Sequence, residues 1–130
     1  MLFAKLGPVA VGAIKLEHTH GFVGCSGSVH SFWGCRPNDV QINIYVTDSK
    51  NQVIYPSPRL VSRKRGGWYK LSGYTSSSLE LVFIDIDSPK YLKDGDKIRI
   101  WYGEDLFDCT ESDNYYGSTC MNISAYLLSF

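Results

Sequence analysis

Apolar and polar residues alternate with period two along much of this chain, and Gly, Pro, Asp and Ser interrupt the alternation at short intervals. That pattern predicts an all-β protein folded as an antiparallel β-sandwich of jelly-roll-like topology. Two further observations support the class. No stretch carries the apolar period of an amphipathic helix, and about eight short strand-like segments recur at roughly 10–15-residue spacing. At 130 residues the chain suits one domain, 1–130, able to bury roughly two-thirds of its unfolded surface. A hydrophobic content of 44% with 20% charge excludes wholesale disorder.

Taken in order, residues 9–17 (VAVGAIKLE) read as the first strand, with Gly12 as a bulge. The preceding apolar run is interrupted by Lys5 and Pro8 and lacks a clear cleavage site, so it is read as the start of this strand region and not as a signal peptide. A short strand around Phe22 and Val23 leads into a Gly-rich loop ending at Cys35. Residues 40–47 (VQINIYVT) alternate most clearly: Val40, Ile42, Ile44 and Val46 face one way, Gln41, Asn43, Tyr45 and Thr47 the other. A turn at residues 48–51 returns the chain through Val53, Ile54 and Tyr55, which Pro56 and Pro58 terminate.

A short strand is expected over residues 59–63, a turn over 64–67 and a strand over 68–72. Residues 79–87 (LELVFIDID) have almost no polar face and read as a central strand. A tight turn at 93–96 precedes a strand over 97–102, and Met121, Ile123, Ala125 and Leu127 line one face of the closing strand.

The four cysteines form two close pairs, Cys25/Cys35 and Cys109/Cys120. Three connectivities are open. Local pairing within each pair is expected, since each flanks a polar, Gly-containing loop, and each closure would contribute roughly 2–3 kcal/mol by loop entropy. Mid-strand cysteines around a Trp, as in immunoglobulin domains, are not what this spacing offers. Two disulfides imply an oxidising compartment and a secreted, extracellular protein. The sequon Asn122-Ile123-Ser124 agrees with secretion and makes Asn122 a candidate glycosylation site.

Formal net charge is zero, which gives no overall support for nucleic-acid or anionic-membrane binding. No run approaches the length of a membrane-spanning helix, so membrane insertion is not expected. The charges are nevertheless uneven. Residues 1–70 carry nine Lys/Arg against three Asp/Glu, and residues 71–130 carry four against ten. Separated onto two faces, these would favour head-to-tail self-association; loop composition is the plainer explanation.

The densest chemistry lies in residues 97–120, KIRIWYGEDLFDCTESDNYYGSTC. Glu104, Asp105, Asp108, Glu111 and Asp113 place five carboxylates within ten residues. Ca²⁺ takes six to eight hard oxygen ligands, so Asp105, Asp108, Glu111 and Asp113 are the candidate metal ligands, although the EF-hand pattern is absent and a solvated acidic loop is the plainer reading. Sugars stack their C–H faces on aromatic rings while polar neighbours bond their hydroxyls. Trp101, Glu104, Asp105, Tyr115 and Tyr116 are therefore the candidate ligand-binding residues. Trp101 would turn outward if Ile100 faces the core; a covering role over the second sheet face fits equally well.

Other constellations are weaker. His18 and His20 would share one strand face and could join His30 as three ligands for Zn²⁺ or Cu²⁺, but ordinary surface histidines are the preferred reading. Arg59, Arg63, Lys64 and Arg65 form a basic cluster, read as a solvated turn. No Gly-x-Ser-x-Gly elbow exists, and Glu80, Asp85 and Glu104 make no defensible catalytic pair. Catalysis is not expected.

The segment Trp101-Tyr102-Gly103-Glu104-Asp105-Leu106, followed by Glu111-Ser112-Asp113-Asn114, Gly117 and Cys120, is similar to the end of small secreted β-sandwich modules in extracellular matrix and adhesive proteins of marine invertebrates. The resemblance implies extracellular placement and a binding or structural role, without a ligand. The sequence thus reads as a structural, adhesive or self-assembling extracellular module that partners itself. The alternative is a carbohydrate-binding, lectin-like module, with Ca²⁺ as its candidate ion and an extracellular glycan or protein as partner.

Overall fold

The computed structural model describes residues 9–26, 29–93, 95–103 and 118–128. Ten strands run in chain order: β1 Val9–Ser26, β2 Val29–Ser31, β3 Gln41–Ile42, β4 Ile44–Asp48, β5 Val53–Tyr55, β6 Tyr69–Lys70, β7 Glu80–Ile84, β8 Lys90–Leu92, β9 Ile98–Tyr102 and β10 Ser118–Leu128. Every pairing among them is antiparallel. The expected all-β antiparallel sandwich is what forms, with ten strands among the described residues where about eight were legible in the whole chain.

The first sheet is built on β1, which is 18 residues long. One edge of β1 pairs with β10; the other pairs with β8, then β7, and finally β2. A strand this long stays registered by bending, and two bulges against β10 supply the bends, one between Val11 and Ala13 and one between His18 and His20. Gly12 occupies the first, as its sequence suggested. A Cβ there would lie 2.9 Å from Cδ2 of Leu128, so any larger residue would require that side chain to shift.

The second sheet has the order β5-β4-β9, and β3 and β6 form a separate two-stranded ladder beside it. One buried cluster joins the layers. Val11, Ile14, Leu16, Leu81 and Phe83 from the first sheet meet Ile44, Val46, Tyr55, Ile98 and Tyr102 from the second. That alignment of two inner faces is the ordinary solution for sheets with one apolar side.

Strand β4 departs from the simple alternation. Ile44 and Val46 are buried as expected, yet Asn43, Tyr45 and Thr47 on the opposite face are buried too, while Val40 is 49% exposed. The segment around the 3₁₀ turn Arg65–Gly67 covers this second face: the Tyr45 hydroxyl donates to the Gly67 carbonyl, and Asn43 Nδ2 donates to the Gly66 carbonyl at 3.1 Å. The turn after β4 forms where expected, with Asp48 Oδ1 accepting from the backbone N–H groups of Lys50 and Gln52.

Three expectations are corrected. Residues 59–63 form no strand; Leu60 instead donates its N–H to the Ser57 carbonyl in a turn. Residues 79–87 are not a central strand, because β7 pairs with β1 alone among the described residues and Leu79, Ile84 and Ile86 are 75%, 55% and 59% exposed. Only alternate residues, Leu81 and Phe83, reach the core. The third concerns the cysteines. Cys25 and Cys35 are bonded, with Cα atoms 4.9 Å apart, but Cys120 is a free, half-buried thiol. Of the two expected bridges, Cys25–Cys35 alone is found among the described residues. Cys120 sits inside β10, opposite His20 in the ladder, instead of ending a loop. Cys109 lies outside the described residues.

The bonded loop docks on residues 74–78. Ser76 Oγ donates to the Arg36 carbonyl at 2.6 Å and accepts from the Asp39 N–H at 3.0 Å. Buried Trp33 donates its indole N–H to the Ser78 carbonyl at 2.7 Å. Among the described residues, no helix is long and apolar enough to cross a membrane.

Candidate functional site

Trp101 is the one residue of the candidate ligand set that falls among the described residues. The β4–β9 register sets it opposite Tyr45, on the face of the sheet away from Ile100 and Tyr102. Its indole N–H donates to Thr47 Oγ1 at 3.2 Å, and the half-buried ring packs against the core cluster. Trp101 thus packs on the second sheet face with part of its ring still accessible. Gly103 follows immediately and donates its N–H to the Asn43 carbonyl at 2.7 Å, which anchors the end of β9.

Glu104, Asp105, Asp108, Glu111, Asp113, Tyr115 and Tyr116 lie outside the described residues. Asn122 is exposed on β10, in a cross-strand row with Glu17 and Glu80. Asp85, Asp87 and Asp96 take separate roles. Buried Asp85 is ion-paired with Arg59, Asp87 is exposed, and Asp96 Oδ2 accepts the Lys93 N–H at 2.9 Å as a turn cap. No group of three or more His, Cys, Asp or Glu side chains among the described residues could hold a metal ion.

The histidines disperse for a physical reason. Because the bulge at Thr19 sets His18 against Met121 and His20 against the adjacent Cys120, the two imidazoles point to opposite faces of the ladder. His18 stacks on Phe32 with centroids 3.6 Å apart, and its Nε2 lies 2.8 Å from the Gly21 carbonyl oxygen. His30 packs against Phe22 at 4.6 Å. The basic cluster also divides, since Arg59 is committed to Asp85 while Arg63 lines a separate pocket of about 250 Å³ with Tyr45, Val53, Pro56, Pro58 and Val61.

A site that sequence reasoning missed lies at the far end of β4 and β9 from Gly103. An open groove of about 520 Å³ runs between the β4–β5 hairpin and the β8–β9 connection. Ile54, Pro89 and Leu92 give it apolar lining, Tyr91 and Gln52 contribute polar tips, and Lys50, Lys90 and Lys97 stand around it with Asp48 and Asp96. Both turns were legible as turns. Their juxtaposition was not, because β8 belongs to the first sheet and the hairpin to the second.

The class the fold defines is an all-β antiparallel sandwich with one local disulfide among the described residues. No family model matches the chain, and no curated protein matches it. Among solved structures it is similar to AJLec, a lectin from the sea anemone Anthopleura japonica. The TM-score is 0.81 at 28% identity, over 97% of this chain and 85% of that one. The likeness to a marine-invertebrate protein agrees with the resemblance seen in residues 101–120.

Proposed function

We propose that this protein is a secreted carbohydrate-binding module that acts without catalysis. The observation that carries the reading is the likeness to AJLec, which extends over nearly the whole chain and not over a shared core alone. The Cys25–Cys35 disulfide supports an oxidising, extracellular setting. Three of the described carboxylates have structural tasks: Asp85 is tied to Arg59, and Asp48 and Asp96 cap turns. Ca²⁺ enters the proposal through Asp105, Asp108, Glu111 and Asp113.

The test is a glycan array carrying neutral and acidic saccharides, probed with and without a chelator. Retention of a defined set of glycans is expected, and loss of the neutral set on chelation would assign that binding to Ca²⁺. Silence across the array would overturn the reading.

One observation favours self-association as a second reading. Strand β10 is 11 residues long, contains no charged residue and no proline, and among the described residues pairs only with β1. Natural edge strands of this length are ordinarily blunted by Lys, Pro or their own bulges. Pairing of two β10 edges across a two-fold axis would extend the sheet. Light scattering should report a dimer that Ser124→Lys disperses, and a wild-type monomer at millimolar concentration would refute it.

A further inference from the structure

We infer that the groove between the β4–β5 hairpin and the β8–β9 connection is a binding site for an acidic saccharide, one carrying sulfate or carboxylate groups. The inference rests on the carbohydrate-binding reading and names a site and a ligand class for it. It concerns residues at the opposite end of the β4–β9 pair from Gly103.

The walls are preformed. Asp48 Oδ1 accepts from the Lys50 and Gln52 N–H groups at 2.8 and 2.9 Å, and Asp96 Oδ2 accepts from the Lys93 N–H. These bonds fix both turns before any ligand arrives, so little ordering entropy is charged to binding. They also occupy one oxygen of each carboxylate. Of the charged lining residues, the two aspartates are therefore the ones with a structural task.

The three lysines are not so engaged. Lys50 and Lys97 are exposed and Lys90 is half-buried, and none of them forms an ion pair among the described residues. Lys90 shares the face of β8 with Leu92, opposite Val11 in the ladder, and is a half-buried member of the groove lining. The described lining residues carry three positive charges against two negative, in a protein whose overall charge is zero. A compact ammonium is a point-charge partner for sulfate or carboxylate.

Tyr91 decides the remaining chemistry. It is 68% exposed, the most exposed aromatic side chain described, beside the apolar Pro89, Ile54 and Leu92. A ring left wet next to an apolar floor offers a stacking face for the C–H side of a pyranose, with Gln52 placed for hydroxyls. An inorganic anion would use the lysines and leave Tyr91 idle. An acidic sugar uses both.

The experiment titrates sulfated dextran oligosaccharides and oligogalacturonates, with neutral dextran oligosaccharides as control, into isotopically labelled protein followed by NMR. Shifts are expected at Tyr91, Lys97 and Gln52 for one or both acidic probes, and the probe that acts separates sulfate from carboxylate recognition. Tyr91→Ala should weaken that binding about tenfold, and the triple variant K50Q/K90Q/K97Q should abolish its dependence on salt between low and physiological ionic strength. All four positions are at the surface, so the folded spectrum serves as the control. Shifts confined to Arg63 and Lys64, or binding unchanged in both variants, would overturn the proposal. A glycan array positive for neutral sugars with no groove response overturns this site while leaving the carbohydrate-binding reading intact; silence in both experiments removes the two together.

Discussion

Gly103→Ala tests the packing where β9 ends and the acidic segment begins. An ideal Cβ at Gly103 would lie 1.8 Å from Asn43 Oδ1, 2.8 Å from Asn43 Cγ and 2.8 Å from a Tyr45 ring carbon. All three atoms belong to residues that are at most 1% exposed, so neither side chain can swing into solvent. Asn43 is held further by its Nδ2 donation to the Gly66 carbonyl and by the Gly103 N–H on its own carbonyl. Overpacking at such a site costs about 1–3 kcal/mol, and losing the Asn43–Gly66 bond adds about 1 kcal/mol. A total of about 2–4 kcal/mol corresponds to a melting temperature lowered by roughly 10 °C in a domain of this size. Asn43→Ala removes both clashing Asn43 atoms, so N43A/G103A should be more stable than the two single changes sum to, by at least 1 kcal/mol. Urea unfolding of the four proteins measures this. A G103A protein within 0.5 kcal/mol of wild type, or strict additivity in the cycle, would refute the close approach of Gly103 to Asn43.

Reduction of the Cys25–Cys35 bond, or Cys25→Ser, should lower stability by about 3 kcal/mol from a loop closed over a separation of 10 residues, read by denaturant titration with and without reductant; an unchanged midpoint would contradict it. Alkaline pH should destabilise the protein. Burial, reinforced by Asp85, pushes Tyr55 up to about 12, and burial raises Tyr69 as well. Below pH 10 both tyrosines are neutral in either state and their contribution is intact. As pH rises from 10 towards 12 the unfolded chain ionises first, so stability drops by on the order of 2 kcal/mol for Tyr55 alone. The double variant Y55F/Y69F should show a flatter profile of stability against pH in that window, and a profile as steep as wild type would refute the assignment. Arg59→Ala should destabilise more than Arg59→Ala combined with Asp85→Asn, because the single change leaves a buried carboxylate unpaired; thermal melts of both proteins check the order.

Features governed by short stretches of chain were legible in the residues themselves. The burial of Ile42, Ile44 and Val46, the Asp48-capped turn and the Cys25–Cys35 closure each depend on neighbours in sequence, where periodicity, turn chemistry and loop length act directly. So did the all-β class. The candidate site was legible only as composition. Trp101 stood out, yet its task depended on Thr47, a residue 54 positions away whose hydroxyl accepts its indole N–H.

Tertiary structure decided whatever required two distant segments to meet. His18 and His20 alternate in sequence, but the bulge that turns them apart exists only because β10 pairs with β1. The run 79–87 is apolar enough for a sheet interior, but its place beside β1 left Ile84 and Ile86 exposed. Asp85 and Arg59 found each other across 26 residues. The lysine-lined groove formed where the chain crosses from the first sheet at β8 to the second at β9. Period and propensity act within a strand, whereas neighbours across a sheet or between layers are chosen by the packing of the whole core, which no local pattern encodes.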